Sequence, residues 1–330
     1  MFKDKVIMIT GGTGSWGQEL TTQLLEKNPK EIRIFSRGEL AQVNMERKFG
    51  NPKLKFIIGD IRDFDVLSRS CRGVDYIYHL AALKHVPVCE EQPQEAIKTN
   101  IIGTTNLINA AIDNNVIKVI DVSTDKAVDP LNLYGMTKAV GERLIIQANK
   151  LDGKTKFVCI RGGNVLGTNG SVVPYFINQI QTKNKISITN EDMTRYFITL
   201  SEAIQLLFKA SEKSCGGETF VMHMPSCKII DIAHVLIDHY GNKDTRIVEI
   251  GVRPGEKYDE VLVSRYEAPN TYEYDENYYL ISPWLQIEGY ADHYKQFKLK
   301  KVGFAEYSSA TELMSKEKIK TMLGKGGFLN

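Results

Sequence analysis

Short apolar runs alternate with longer amphipathic segments along the first half of the chain. Such runs predict buried strands, and the segments between them predict helices. The predicted strands are Val6–Thr10, Ile32–Ser36, Leu54–Ile58, Tyr76–Leu80, Val119–Ser123 and Phe157–Gly162. The clearest predicted helices are Gln18–Lys27, Pro93–Asn114 and Tyr134–Lys150. Near-continuous apolar strands separated by helices predict a doubly wound α/β fold, a parallel sheet covered on both faces with ligands at the carboxyl ends of its strands.

The pattern changes after Gly163, where the apolar runs become shorter and less regular. The predicted helices here are Val172–Thr182, Glu202–Ser211 and Ile229–Tyr240, mixed with isolated strands and a turn at Arg253-Pro254-Gly255. We interpret residues 1–163 as the doubly wound domain and residues 164–330 as a smaller substrate-binding portion. The pattern leaves open whether the chain interleaves between the two.

The amino-acid composition argues against several classes of binding partner. Lys and Arg number 42 against 40 Asp and Glu, so the chain lacks the basic field that nucleic acid requires. Its five cysteines are scattered, which indicates reduced thiols in the cytoplasm and neither a disulfide framework nor a metal site. No signal-peptide pattern opens the sequence, and no apolar run reaches the roughly 20 residues of a membrane helix. We therefore expect a cytoplasmic protein without membrane, metal or nucleic-acid partners.

A glycine-rich loop directly follows the first predicted strand and precedes the first helix. Its glycines, Gly11, Gly14 and Gly17, allow a tight turn and close approach of the backbone to a pyrophosphate, while the helix N-terminus offers free N–H groups. An ordinary glycine-rich turn is the structural alternative. The strand–loop–helix context favours a dinucleotide site, and the loop residues predicted to form it are Gly11, Thr13, Gly14, Ser15, Trp16 and Gly17.

The end of the second strand bears on the choice of dinucleotide. NAD-binding proteins usually carry an acid there, whereas an Arg accommodates the 2′-phosphate of NADP. This chain has Ser36-Arg37, which favours NADP, although nearby Glu39 keeps NAD open. Asp60 and Ile61, after the third strand, are predicted to meet the adenine. The alternative for Asp60 is a helix or turn cap.

A tyrosine and a lysine are spaced four residues apart near the start of a predicted helix. Tyr134 and Lys138 therefore point to one face, and the ammonium group is expected to lower the phenol pKa from about 10. Such a phenol is a usable base for a sugar hydroxyl. Ser123-Thr124-Asp125-Lys126 ends a parallel strand just before it, where an active site is expected.

Six motifs appear in a fixed order: Gly11-Gly12-Thr13-Gly14-Ser15, Ala81-Ala82-Leu83-Lys84-His85-Val86-Pro87, Ser123-Thr124-Asp125-Lys126-Ala127, Asn132-Leu133-Tyr134-Gly135, Met193-Thr194-Arg195 and Arg253-Pro254-Gly255-Glu256-Lys257. From about Lys5 to Ser264 the chain resembles the soluble inverting UDP-N-acetylglucosamine 4,6-dehydratases (5-epimerising) of pseudaminic-acid biosynthesis, which are extended short-chain dehydrogenases/reductases. The adjacent Asp125-Lys126 pair separates this group from the retaining hexose dehydratases, which use Asp-Glu. Sugar 4-epimerases lack either pair.

The resemblance implies a role for each catalytic candidate. Tyr134, supported by Lys138, takes the proton of the sugar 4-hydroxyl while C4 gives hydride to the nicotinamide. A neutral Lys126 then removes the C5 proton, and a protonated Asp125 delivers a proton to the departing C6 hydroxyl. Hydride returns to C6 and C5 is reprotonated from the opposite face. Thr124 is expected to hydrogen-bond the 4-oxygen, and pairing between Asp125 and Lys126 complicates their protonation states.

The resemblance also implies how nucleotide and sugar are held. Asn164 matches a residue at the diphosphate, Arg195 and Arg253 match positions at phosphate or uridine, and Glu256 would accept hydrogen bonds from the ribose. Surface ion pairing is the alternative for these charged residues. The predicted substrate-binding residues are Lys84, Asn164, Val173, Pro174, Thr189, Arg195, Arg253 and Glu256. Ala81, Ala82 and Lys84 are expected to line the cofactor site, and a homo-oligomer is expected.

Three departures from the family pattern leave a second function open. Family members commonly read Arg-Tyr-Gly-Asn, Ser-Arg-Asp-Glu-Leu-Lys and Glu-Lys-x-His-Glu. This chain reads Arg161-Gly162-Gly163-Asn164, Ser36-Arg37-Gly38-Glu39-Leu40-Ala41 and Glu256-Lys257-Tyr258-Asp259-Glu260. The alternative enzyme is a paralogue for the neighbouring step, a C5-epimerase or reductase of the 4-keto-5,6-ene sugar. A non-catalytic NADP(H)-binding sensor is disfavoured, because a sensor needs none of Tyr134, Lys138, Asp125 and Lys126.

Overall fold

The computed structural model describes residues 1–151, 153–168 and 171–329. Its strands are β1 (Val6–Thr10), β2 (Glu31–Ser36), β3 (Leu54–Ile58), β4 (Tyr76–His79), β5 (Lys118–Thr124), β6 (Lys156–Gly162), β7 (Asn164–Val165), β8 (Lys185–Ile188), β9 (Thr194–Ile198), β10 (Thr219–Met222), β11 (Ser226–Lys228), β12 (Arg246–Glu249), β13 (Val261–Val263), β14 (Thr271–Asp275), β15 (Tyr278–Ile281), β16 (Lys300–Lys301) and β17 (Tyr307–Ser308). Its helices are α1 (Ser15–Glu26), α2 (Glu39–Phe49), α3 (Phe64–Cys71), α4 (Val86–Glu91), α5 (Pro93–Ile97), α6 (Gly103–Asp113), α7 (Leu133–Ala148), α8 (Val172–Lys183), α9 (Leu200–Lys213), α10 (Ile229–Tyr240), α11 (Tyr290–Lys295) and α12 (Lys316–Lys325).

A ten-stranded sheet forms the centre of the molecule, in the order β3-β2-β1-β4-β5-β6-β10-β15-β14-β16. The first seven strands of this order are parallel, and the last three pair antiparallel. The order 3-2-1-4-5-6 is that of a doubly wound dinucleotide-binding fold. The predicted fold class is therefore confirmed, and the carboxyl ends of the parallel strands meet along one edge.

The second half of the chain both extends this sheet and builds a smaller layer. Strands β10, β14, β15 and β16 all come from beyond residue 163, so the chain interleaves between the two portions. In the smaller layer, α8, α10 and α12 pack around β8 and β12. The core of this layer includes Val173, Phe176, Ile180, Ile186, Leu236 and Leu323.

The predicted helix Pro93–Asn114 is interrupted. A π-helical turn occupies residues 98–102 between α5 and α6. The Asn100 side chain in this turn accepts a hydrogen bond from the Leu83 N–H (2.8 Å) and donates to the Leu83 carbonyl (2.9 Å) and to Thr137 Oγ1 (2.9 Å). The π-helical turn thus fastens the loop after β4 to α7, which is the kind of functional position where such turns are frequent. No helix in the described part of the chain is long and apolar enough to span a bilayer.

Candidate active site

A cleft of about 920 Å³ runs along the carboxyl ends of β1 to β6. Residues predicted for all three groups, catalytic, cofactor-binding and substrate-binding, line its wall. They are Gly11, Thr13, Gly14, Ser15, Trp16, Ser36, Arg37, Asp60, Ile61, Ala81, Ala82, Lys84, Thr124, Lys126, Tyr134, Lys138, Asn164 and Val173. The cleft therefore joins the predicted cofactor loop to the predicted catalytic residues.

The glycine-rich loop has the shape that a pyrophosphate requires. A Cβ atom on Gly17 would lie 2.2 Å from the Gly12 carbonyl oxygen, and one on Gly11 would lie 2.9 Å from the Ala81 backbone. Glycine is thus required at both positions. Gly14 stands at the N-cap of α1 without a side-chain cap, and Ser15 and Trp16 of the first turn line the cleft, so the helix N-terminus lies at the cleft. These features fit a bound dinucleotide, with Gly17 supporting the loop from behind the cleft wall.

The residues expected to choose between NAD and NADP are neighbours in the structure. Arg37 is half exposed, and its Nη1 atom lies 4.0 Å from Asp60 Oδ2. Asp60 is held mainly by Arg62, whose Nη2 atom lies 2.7 Å from the same oxygen. Burial alone would raise the pKa of Asp60, but Arg62 and Arg37 outweigh it and the pKa is lowered. The guanidinium of Arg37 therefore remains at the cleft, while the Ser36 hydroxyl accepts a hydrogen bond from Gln42.

The predicted catalytic residues lie on a short turn after β5 and on the first turns of α7. Thr124 ends β5, and Asp125 and Lys126 form a single 3₁₀ turn. Gly135 brings α7 against this turn, because a Cβ there would lie 2.1 Å from the Lys126 carbonyl oxygen. This close approach positions Tyr134 beside the Asp125-Lys126 pair. Asn132 caps α7 by accepting from the Gly135 N–H (2.9 Å).

A buried carboxylate supports the lysine of α7 that is predicted to be catalytic. Lys138 Nζ lies 3.2 Å from Asp121 Oδ1, and both side chains are almost fully buried. Burial lowers the pKa of Lys138, but Asp121 and Tyr134 together outweigh it and the pKa is raised, so the lysine carries its positive charge at neutral pH. Burial raises the pKa of Tyr134, and Lys138, Lys126 and the Thr124 hydroxyl lower it without reversing the net direction. The expected net lowering of the Tyr134 pKa is therefore wrong, although Lys138 acts in the predicted sense.

Lys126 lies between two carboxylates. Its Nζ atom is 3.1 Å from Asp125 Oδ1 and 3.3 Å from Glu260 Oε1. Burial lowers the pKa of Lys126, but the two carboxylates outweigh it and the pKa is raised. Asp125 is fully buried, receives a hydrogen bond from the Thr124 hydroxyl (2.8 Å), and keeps Oδ2 without a partner among the described residues.

A smaller pocket of about 170 Å³ adjoins the cleft through Lys126 and Asn164. Arg195, Glu256 and Glu260 line it with them. The Arg195 guanidinium donates to the backbone carbonyls of residues 257 and 258 (both 2.9 Å). Its donors thus hold the 253–260 loop, which Asn132 also fastens through the Gly255 carbonyl (2.9 Å). The predicted residues that line neither cavity are Gly17, Asp125, Pro174, Thr189 and Arg253.

Asp125 and Arg253 each lie against a residue that lines one of the two cavities. Asp125 Oδ2 would be 3.5 Å from a Cβ on Gly163, a residue of the cleft wall, so the carboxylate sits directly behind it. Arg253 is exposed, and its Nη1 atom lies 3.8 Å from Glu256 Oε1. Pro174 is exposed and Thr189 is partly buried. Their roles stay predictions.

Gly162 stands where the resembling family commonly has the tyrosine of its Arg-Tyr-Gly-Asn motif, and two methionine side chains lie beside it. A Cβ on Gly162 would lie 3.2 Å from Met222 Sδ and 3.7 Å from Met224 Sδ. These two methionines therefore fill the space beside the strand end. Polarizable thioethers of this kind adapt readily to irregular spaces.

Three residues of the site were not assigned from the sequence. Asp121 lies inside the apolar run Val119–Ser123. A single acid on a predicted buried strand is the sequence feature that could have indicated its role. Asn100 lies within a predicted helix, and its hydrogen bonds to the Leu83 backbone join positions 17 residues apart, so no local pattern indicates them. Glu260 is the last residue of the Glu256–Glu260 motif. The sequence assigns it no role, because its partner Lys126 lies 134 positions away.

A doubly wound sheet with a glycine-rich loop and a Tyr-x-x-x-Lys helix on one cleft defines an extended short-chain dehydrogenase/reductase. The chain belongs to the polysaccharide biosynthesis protein family, which it matches over residues 7–282. The family resemblance inferred from the motifs is confirmed.

Relatives of this chain include proteins named as two different enzymes. It is 45% identical to a UDP-N-acetylglucosamine 4,6-dehydratase (inverting) from Campylobacter jejuni, covering 87% of this chain and 85% of the relative. It is 41% identical to a UDP-glucose 4-epimerase from Rickettsia akari, covering 98% and 96%. Among solved structures, Pen from Bacillus thuringiensis superposes with a TM-score of 0.92 at 37% identity, covering both chains completely.

Proposed function

We propose that this chain is an NADP-dependent UDP-N-acetylglucosamine 4,6-dehydratase that inverts C5. The observation that carries the proposal is the Asp125-Lys126 turn packed against Tyr134 at the cleft, which supplies an acid, an amine and a phenol within one site. The 45% identical inverting dehydratase supports it. The product would be a UDP-4-keto-6-deoxy-L-AltNAc-type sugar for pseudaminic-acid or other surface-glycan synthesis. We propose a cytoplasmic homo-oligomer as its working form.

The first step is oxidation at C4. A bound nicotinamide would supply the hydride acceptor for C4 and the hydride donor for C6. Tyr134 accepts the proton of the 4-hydroxyl, and the charged Lys138 beside it stabilises the phenolate that this step needs. Asp121 keeps Lys138 charged and fixed in position. Thr124, on the cleft wall next to Tyr134, hydrogen-bonds the 4-oxygen once its hydroxyl turns away from Asp125 Oδ1.

The second step is elimination of water across C5 and C6. The 4-ketone makes the C5 proton acidic, and Lys126 removes it. Asp125 gives a proton to the departing C6 hydroxyl. Lys126 lines the cleft, whereas Asp125 lies directly behind Gly163 of the cleft wall.

The cofactor and the UDP portion have separate supports. NADP is favoured because the end of β2 offers Arg37 and no acid, and because Asp60 is already engaged by Arg62. Asn164, Arg195 and Glu256 surround the smaller pocket, which we propose to hold the nucleotide side of the UDP-sugar. Lys84 lines the cleft, and burial lowers its pKa, which makes it a further candidate for the substrate.

Incubation of the purified protein with UDP-N-acetylglucosamine alone tests the proposal. We expect the substrate mass to fall by one water, with solvent deuterium at C5 and the inverted configuration by NMR. The matched control is Asp238→Asn, a carboxylate-to-amide change on the exposed side of α10, which should dehydrate at the rate of the unaltered chain. Unchanged UDP-N-acetylglucosamine would reject the proposal. Conversion of only the 4-keto-5,6-ene sugar would identify the neighbouring-step epimerase or reductase instead.

A UDP-glucose 4-epimerase is the second candidate, because relatives at 41% identity over nearly the whole chain carry that name. Epimerisation needs Tyr134 and the cofactor but no elimination, so it gives the Asp125-Lys126 pair no task. Interconversion of UDP-glucose and UDP-galactose without loss of water would favour this candidate. Dehydration of UDP-N-acetylglucosamine with no such interconversion would exclude it.

A further inference from the structure

A second carboxylate accompanies Lys126. Glu260 is 3% exposed, and its Oε1 atom lies 3.3 Å from Lys126 Nζ and 3.5 Å from Arg195 Nε. Its Oε2 atom is buried and has no hydrogen-bond partner among the described residues. Buried carboxylate oxygens normally have partners. Glu260 also lines the smaller pocket that adjoins the cleft.

The fold holds the Glu260 backbone tightly. The Glu260 N–H donates to Ser309 Oγ (2.9 Å), and the Ser309 N–H donates to the Glu260 carbonyl (2.8 Å). Ser309 Oγ is in turn 2.6 Å from Thr194 Oγ1 on β9, next to Arg195. The carboxylate is therefore fixed opposite Lys126 by elements far apart in sequence. Such pre-organisation is what a proton-transfer partner requires.

The proposed function creates a need that Asp125 alone does not meet. Lys126 must be neutral to remove the C5 proton, whereas its carboxylate neighbours hold it in the charged form. If Asp125 starts protonated in order to release water, it is not available to take the Lys126 proton. Glu260 is the other carboxylate that forms an ion pair with Lys126 in the described part of the chain.

We propose that Glu260 accepts the proton of Lys126 before C5 deprotonation, acting as a positioning residue that works through Lys126; this inference rests on the proposed function. An N–H bond of the ammonium group breaks and an O–H bond forms on Glu260, which leaves a neutral amine and a neutral acid. The amine then takes the C5 proton and becomes ammonium again. No oxidant or further reactant is needed.

Burial favours such a transfer, because it penalises the charged forms of both Lys126 and Glu260. Burial raises the pKa of Glu260, as does Asp125, while Lys126, Arg195 and Lys257 oppose the rise without cancelling it. Transfer converts a buried ion pair into two neutral groups, which a water-poor site tolerates better than separate charges. Among the described residues, Asp125, Tyr134 and Arg195 are the other titratable groups that act on Lys126.

The test is Glu260→Gln, with C5 exchange measured from pH 6 to pH 10. At pH 7 we expect deuterium entry at C5 to fall at least about 100-fold, while nicotinamide reduction on substrate addition persists, because C4 oxidation comes earlier. Removal of the Glu260 charge lowers the pKa of Lys126, so solvent can deprotonate it at high pH. Exchange should then rise about tenfold per pH unit until Lys126 is neutral.

Two further variants separate proton transfer from structure. Glu260→Asp keeps the carboxylate and should restore part of the exchange at pH 7. Asp238→Asn, a carboxylate-to-amide change on the exposed side of α10, is the control and should exchange at the rate of the unaltered chain.

The results distinguish this inference from the proposed function. Exchange at the unaltered rate in Glu260→Gln at pH 7 would overturn the role of Glu260. A loss of exchange without recovery at high pH would also overturn it, because it would indicate structural support alone. If the unaltered chain released no water from UDP-N-acetylglucosamine, the proposed function itself would fail.

Discussion

Lys138 Nζ lies 3.2 Å from one carboxylate oxygen of Asp121 and 3.3 Å from the other, so the lysine of the Tyr-x-x-x-Lys pair rests on a buried acid of β5. This contact joins α7 to the centre of the parallel sheet. It fixes the ammonium group under Tyr134 at the carboxyl edge, where the cleft opens.

Asp121→Asn should destabilise the fold by about 3–5 kcal/mol at pH 7, because it leaves the Lys138 charge buried without its partner. Asp121 raises the pKa of Lys138, so the contribution of the pair is full below the unfolded lysine pKa of about 10.4. It is lost only as the pH rises through the higher folded value. Urea unfolding measures the effect, and Asp238→Asn is the control; equal midpoints for both variants would contradict the prediction.

A second buried charge cluster links the two portions of the chain. Arg161 on β6 pairs with Glu142 on α7 (2.6 Å) and with Glu267 (3.0 Å). Burial raises the pKa of Glu267, but Arg161 and Ser264 outweigh it and the pKa is lowered. Glu267 therefore stabilises the fold above its unfolded pKa of about 4.3, and this contribution is lost as the pH falls through the lower folded value.

Glu267→Gln should lower the free energy of unfolding by about 2 kcal/mol at neutral pH, because a charge-assisted hydrogen bond contributes about that much. The difference from the unaltered chain should shrink as the pH falls below about 4.3 and through the lowered folded pKa, because Glu267 of the unaltered chain then becomes neutral like the glutamine. Thermal unfolding from pH 7 to pH 3 measures it. A difference that stayed constant across this range would mean that Glu267 acts through packing and not through charge.

The sequence predicts the first six strands to within one or two residues, because buried parallel strands are continuous apolar runs. Helices α2 and α3 were not singled out, since α2 buries only Gln42 and Met45 and α3 is short. The joining of β10 to the parallel sheet was not predictable either. It depends on pairing with β6 across some 60 residues, which no local pattern encodes.

The residues of the site also fall into those that a local motif predicts and those that depend on long-range contacts. The glycine-rich loop and the Tyr134–Lys138 pair are predictable from the sequence, because the residues of each motif lie within a few positions of one another. Glu260 and Asp121 derive their meaning from Lys126 and Lys138, which the fold brings to them from distant segments. The net pKa direction of Tyr134 was missed for the same reason, since it depends on how far the phenol is buried.

Arg37→Gln should weaken NADP binding about tenfold to a hundredfold and leave NAD binding unchanged, because it removes the cation expected to meet the 2′-phosphate. Arg47→Gln, an exposed arginine at the end of α2, is the control. Nucleotide released by denaturing the unaltered protein should be NADP(H) by mass. NAD(H) alone in that sample would reverse the interpretation of Ser36-Arg37.

Lys126→Ala should abolish dehydration and C5 exchange while UDP-sugar binding persists, because the amine acts after C4 oxidation. The change leaves Asp125 and Glu260 without the shared cation, so unfolding should be checked alongside activity. Deuterium entry at C5 during turnover is the measurement, and Lys183→Ala, on the exposed end of α8, is the control. Normal incorporation in Lys126→Ala would remove this lysine from the mechanism.

Tyr134→Phe should be the most damaging single change to the first step. The substitution keeps the aromatic ring against the Asp125-Lys126 turn, so the fold should survive, but it removes the group that accepts the 4-hydroxyl proton. General-base assistance of this kind is worth roughly a hundredfold to ten-thousandfold. Without the 4-ketone the C5 proton is not acidic, so Lys126 has nothing to remove and C5 exchange should also disappear.

Stopped-flow absorbance of the nicotinamide distinguishes this step from the later ones. Tyr134→Phe should bind UDP-sugar and oxidised cofactor yet give no transient reduced nicotinamide, whereas Lys126→Ala and Glu260→Gln should still give it. Tyr266→Phe, at a ring that is 82% exposed, should behave like the unaltered chain. Because the three site variants block successive proton transfers, reduction at the unaltered rate in Tyr134→Phe would mean that another residue is the base for C4 oxidation.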